Sequence, residues 1–149
     1  MSGIALREGP VAPAIDQLVA GAVFGTGAAM TYLLARVPPD PRGHGTHELL
    51  GMPPCSWPAT LQAPCPTCGV TTAAAHLVHL QPVTAVVTQP FGAALAAVGL
   101  WLALLAGFSL LTRRSFVDRV VRLPYGTMAT VGLVLLLGSW LYKYLTFAS

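Results

Sequence analysis

Three long stretches of the chain carry almost no charge. Leu18–Ala35 has none over eighteen residues, between Asp16 and Arg36. Phe91–Thr112 and Leu123–Tyr142 repeat the pattern. A helix rises 1.5 Å per residue, so roughly 20 apolar residues cross about 30 Å of hydrocarbon. The pattern predicts spanning helices over about 14–36, 90–112 and 123–145. Pro90 suits the first turn of the second, where a missing N–H costs little. Tyr125 near one end of the third, and Trp140, Tyr142 and Tyr144 near the other, form an aromatic belt pattern.

Between the first two spans the pattern changes twice. Residues 37–68 form the longest polar stretch and hold eight prolines, from Pro38 to Pro66. Proline removes backbone donors and blocks regular helix, which predicts a loop without a core of its own. Gly69–Gln81 then shows a helical period. On a wheel Thr72, His76 and His79 share one face, and Val70, Ala73, Ala74, Leu77 and Leu80 the other. At about 20 Å this amphipathic helix is too short to span. It is expected to lie in the interface or re-enter it, with Pro82 ending it, and Val83–Gln89 continues only weakly. The expected fold is thus an all-α membrane protein in one polytopic domain, with three transmembrane helices plus a short amphipathic helix.

Composition agrees with this pattern. The 149 residues are 54% hydrophobic and 9% charged, whereas soluble domains carry about 25% charged residues. The net charge of +3 is modest and shows no nucleic-acid footprint, so no nucleic-acid partner is expected. The segment before Pro13 has no positive start running into an apolar core. It therefore reads as a tail, and the first span as a retained anchor.

Charge sets the expected orientation. Arg113, Arg114, Arg119 and Arg122 follow the second span, opposed only by Asp118. The most basic short connection belongs in the cytoplasm. That orientation places the N-terminus inside and the cysteine loop outside a bacterial cytoplasmic membrane. The same arginines suit anionic headgroups. Gly21 and Gly25, with Ala28 and Ala29, form a small-residue stripe that lets another helix approach.

The candidate chemistry lies in Ala63–Pro82, APCPTCGVTTAAAHLVHLQP. Cys65 and Cys68 bracket a tight turn, and Cys55 is the third cysteine. Cys-Pro-x-Cys-Gly is one half of a zinc ribbon. Zinc takes four ligands, and Cys55, with His44 or His47 from His44-Gly-Thr-His47, offers the rest. His76 stands about 12 Å along the helix from Cys68, too far for comfortable sharing of one metal. The same pair at a helix start also suits thiol exchange or a static disulfide outside the cytoplasm. No phosphate-cradling loop or His-Glu-x-x-His run is present, and no acidic residue lies in the three charge-free runs, Asp16 flanking the first. These readings stay open. An accessory subunit packing against other membrane helices, without catalytic residues or a required cofactor, is expected first. An extracytoplasmic thiol or metal protein, zinc being the metal considered, is the alternative.

The run Cys65-Pro66-Thr67-Cys68-Gly69-Val70-Thr71, followed by a short helix and Gln89-Pro90, resembles the bacterial membrane family called domain of unknown function 2752. That family's pattern is Cys-Pro-x-Cys-Gly-x-Thr-Arg, a short helix, then Asn-Pro opening a span. Thr72 stands here where the family has Arg, and Gln89 where it has Asn. The resemblance covers roughly Cys65 to Leu111. It implies the membrane layout and carries no reaction.

Overall fold

In a computed structural model, residues 11–61 and 63–147 are described. The tail expected before Pro13 lies, up to Pro10, outside them. Among the described residues there are eight helices and no strand. They are α1 (Pro13–Arg36), α2 (Thr46–Leu49), α3 (Ser56–Leu61), α4 (Val70–Val78), α5 (Pro82–Thr88), α6 (Pro90–Thr112), α7 (Phe116–Val121) and α8 (Tyr125–Phe147). Helices α1, α6 and α8 are long and apolar enough to cross a membrane, and only 11%, 17% and 6% of their apolar windows are buried. Helices so apolar and so little covered by their own chain require lipid around them. The chain is an all-α membrane protein.

Two compact units divide the chain. The first takes residues up to Met30 and Gly99–Pro124. Here α1 and α6 run antiparallel through small-residue contacts. A Cβ on Gly27 would collide with the Cβ of Ala103, and one on Gly107 would lie 2.9 Å from the Phe24 ring. The close approach thus uses Gly27 and Gly107. A Cβ on Gly21 or Gly25 would meet nothing within 4 Å. Ala20, Ala106 and Phe116 are buried together, with Val23, Leu105 and Leu110 against them. Phe116 opens α7, whose N-terminus is satisfied from α1. Asp16 accepts from Ser115 Oγ (2.9 Å), Phe116 N (3.1 Å) and Val117 N (2.8 Å). Such acceptors replace the intrahelical partners that the first N–H groups of a helix lack.

The second unit takes Thr31–Val98 and residues from Tyr125 onward. The amphipathic segment is shorter than expected, and it is one arm of a pair. Helix α4 stops at Val78, Leu80 turns left-handed at φ 59°, and Gln81 N closes the end on His76 O at 2.9 Å. Pro82 then starts α5, so the proline opens a second helix where only weak continuation was expected. Ala73, Ala85 and Ala93 bury one another, with Leu77 beside them. The backbone of Val70 lies so close to Gly92 that a Cβ there would sit 2.7 Å from Val70 Cα. Small residues let three helix starts crowd together without side chains between them.

Candidate metal and thiol site

The cysteine turn is built from its backbone outward. Cys68 N donates to Cys65 O (3.0 Å) and Val70 N to Thr67 O (3.1 Å). Gly69 caps α4 at φ 92°. Two constraints require glycine there. The backbone is left-handed, and an added Cβ would sit 2.6 Å from Gly43 O.

Three side chains hold this turn and the loop beside it. Gln89 is fully buried; its Nε2 donates to Pro66 O at 3.3 Å, and its Oε1 accepts from Gly92 N. One residue therefore caps α6 and ties down the turn. Trp140 Nε1 donates to Pro64 O at 3.0 Å. Lys143 Nζ donates to Gly43 O at 3.3 Å.

The result is a convergence of sulfur. The Sγ atoms of Cys55, Cys65 and Cys68 all lie within 4.8 Å of one another. Cys65 is buried, and Cys55 and Cys68 are half-buried, all as free thiols. Cys65 Sγ lies 2.9 Å from Cys68 Sγ and 3.5 Å from Thr67 Oγ1. Burial pushes the Cys65 thiol up, but hydrogen bonds from Cys68, Thr67 and Cys55 outweigh it, so the thiol sits below its ordinary value. Cys68 moves the other way. Burial, followed by its hydrogen bond to Cys65, pushes it up to about 12. The pair therefore favours a single thiolate, carried on Cys65 and steadied by its neighbours.

With Zn–S bonds near 2.3 Å, sulfurs in a tetrahedral site stand about 3.8 Å apart, within the reach of this cluster. A set of three thiols suits soft or borderline ions: zinc, or monovalent copper. His44 and His47 are not in this group. His44 Nδ1 donates instead to Arg42 O at 3.0 Å, within a loop where Asp40 and Glu48 both pair with Arg42. Among the described residues no His, Asp or Glu joins the three sulfurs, so a fourth ligand would come from outside this set.

The expected polar face of α4 is distributed differently. Thr72 is fully buried and accepts from Thr46 Oγ1 at 2.9 Å, joining α2 to α4. His76 Nδ1 donates to Gln81 Oε1 at 2.7 Å. His79 Nε2 donates to Leu34 O (3.3 Å) in the last turn of α1 and to Val37 O (3.2 Å) just beyond it, so it ties α4 to the end of α1. The two histidines thus have separate structural partners. The sequence alone does not mark Gln89 or Trp140 as site residues. Gln89-Pro90 marked only a helix start, and Trp140 only a belt aromatic; neither position shows which carbonyl it reaches.

A family model described as "Protein of unknown function (DUF2752)" matches residues 55–103. The match supports the resemblance and extends it ten positions upstream of Cys65, so all three clustered cysteines fall inside it. No curated protein and no solved structure matches the chain.

Proposed function

We propose that this membrane protein holds a thiophilic metal ion, zinc foremost, on Cys55, Cys65 and Cys68. The observation behind the reading is Cys55. It comes from a separate, proline-flanked segment, yet its sulfur joins the pair within 4.8 Å. A static turn needs only Cys65 and Cys68; a third converging sulfur is what a metal uses. The orientation proposed is the one the arginines favour. Arg113–Arg122 keeps its end of α6 in the cytoplasm, and the cysteine turn lies outside a bacterial inner membrane.

The test is metal analysis of the protein purified in detergent, followed by titration with Co(II). Thiolate-to-cobalt absorption at one ion per chain, lost in Cys55→Ser and in Cys65→Ser, is the expected result. Protein without metal or cobalt absorption, whose thiols cycle between oxidised and reduced forms, overturns it in favour of thiol exchange. Labelling intact cells with an impermeant thiol reagent, after chelation, reads the side of the membrane.

A second reading concerns partners. Gly21 and Gly25 have open space over them and are not used in the packing of their own unit. An accessory role, in which another membrane helix packs on that face, is compatible with the metal site. Gly21→Leu with Gly25→Leu is expected to release the protein from a larger complex, and unchanged association counts against that face.

A further inference from the structure

We infer that Arg113, Arg114 and Gln17 bind the phosphodiester headgroup of an anionic phospholipid. A cavity of about 30 Å³ lies between the start of α1 and the end of α6, bordered by Gln17, Ser109, Arg113, Arg114 and Ser115, with Asp16 in its wall. The four arginines of this region are not equivalent. Arg119 donates to Ser109 Oγ at 3.3 Å and lies over the Phe108 ring. Arg122 pairs with Asp118 at 2.9 Å. Arg113 and Arg114 are exposed on the cavity rim, and their guanidinium groups have no hydrogen bond or ion pair among the described residues. Gln17 is exposed beside them, and its amide has no hydrogen bond among the described residues.

The backbone gives an independent reason. Arg114 N donates to Ser109 O at 3.2 Å, so Arg113 occupies the left-handed position that ends α6, at φ 52°. Glycine is favoured there, and a side chain makes the conformation less favourable. The turn sets the direction in which the Arg113 side chain leaves the end of α6, on the rim of the cavity.

Location and charge identify the ligand. The 23 residues of α6 cover about 34 Å, enough to cross the hydrocarbon, so the residues just beyond it stand among headgroups. The Asp16 carboxylate is already engaged by three donors. Arg113 and Arg114 on the rim, with Arg119 on Ser109 Oγ, outnumber that one carboxylate and leave the recess net positive, which suits the negative charge of a phosphodiester. A basic recess beside a spanning helix is a known form of headgroup site.

The test uses the full chain in detergent, with native mass spectrometry of retained lipid and phosphatidylglycerol and phosphatidylcholine as probes. Phosphatidylglycerol is expected to be retained preferentially. The double variant Arg113→Gln/Arg114→Gln should lose that preference by roughly 10- to 30-fold. Arg122→Gln, which removes one positive charge outside the cavity, should keep it, whereas Arg113→Gln alone, which removes one on the rim, should already weaken it. Arg113→Gly guards against a folding artefact, because it suits the left-handed backbone, and it should lose preference while remaining folded. Equal loss in Arg122→Gln would reduce the effect to diffuse charge and overturn the site. Retained preference in the double variant, or displacement of lipid by millimolar inorganic phosphate, would also overturn it.

Discussion

Asp16 accepts a hydrogen bond from the backbone N–H of Phe116, one hundred residues later in the chain, at 3.1 Å. With Ser115 Oγ and Val117 N on the same carboxylate, α1 supplies the cap that α7 needs. Ser115 also serves α7 from its own side, accepting from Asp118 N at 3.1 Å. The buried carboxylate is thereby held by three donors, and both of its oxygens are engaged.

Removing that carboxylate strands two N–H groups and a hydroxyl. Asp16→Ala is expected to destabilise the first unit by about 2 kcal/mol, the upper end for a lost helix cap. Asp16→Asn keeps an acceptor and should lose less. Thermal unfolding in detergent reads the difference, and amide exchange at Phe116 and Val117 should rise first. Equal losses in both variants would show that the carboxylate contributes through something other than the cap.

Gln89 is expected to govern the reactivity of cysteines it does not touch. Gln89→Ala takes the side-chain partner from Pro66 O and Gly92 N, at a cost of about 1–3 kcal/mol for each buried group left unpaired. The turn loosens, and Cys65, now buried, should alkylate several-fold faster. Gln89→Glu can still accept from Gly92 N but cannot donate to Pro66 O, so it separates the two roles. Unchanged alkylation in Gln89→Ala would remove the clamp from the account.

The three spans were legible because a bilayer imposes length and apolarity together, and few soluble elements satisfy both. The convergence of Cys65 and Cys68 was legible for a similar reason: a three-residue separation on a turn leaves little freedom. Which glycine face makes contact was not legible. Gly21, Gly25, Gly27 and Gly107 look alike in sequence, and only the opposing Ala103 and Phe24 distinguish them. Thr72 shows the same limit. A wheel places it with His76 and His79, but the hydroxyl of Thr46 covers it, and a wheel carries no information about what packs outside the helix.

Leu80 offers a gain in stability. It is almost fully exposed, at 88%, in a left-handed conformation at the end of α4. Leu80→Gly removes the unfavourable backbone term and should stabilise the fold in detergent by about 1 kcal/mol. A rise of a few degrees in the unfolding midpoint is the expected reading. A fall would mean that the leucine is held by contacts with detergent or lipid worth more than its backbone cost.

Acid should loosen the loop around α2. The carboxylate of Asp40 accepts from Arg42 N at 2.9 Å and from its guanidinium at 2.8 Å. The Arg42 side-chain bond, opposed by burial, holds the carboxyl below its usual range. A depressed folded value means that the unfolded chain binds the proton first. The contribution is present above the ordinary carboxylate range and is lost as pH falls through the lowered value. Limited proteolysis within residues 37–54 should therefore increase below about pH 4. Asp40→Asn should cleave readily at neutral pH and lose that dependence. A wild-type loop whose cleavage is flat with pH would remove Asp40 from its stability.

The two thiols of the turn should be chemically unequal in the metal-free protein. Cys65, below its ordinary value, forms a thiolate first, and Cys68, pushed up to about 12, stays protonated at neutral pH. The thiolate is the nucleophile, so mass spectrometry of briefly alkylated protein should find the label on Cys65 before Cys68, despite the deeper burial of Cys65. Part of the rise at Cys68 comes from its hydrogen bond to Cys65 and from the Cys65 charge. Cys65→Ala removes both while leaving Cys68 in the same turn, and Cys68 should then alkylate faster at the same pH. If Cys68 is labelled first, access rather than thiolate character decides the order. If Cys65→Ala leaves Cys68 unreactive, burial alone holds its proton, and the shared charge plays no part at that sulfur.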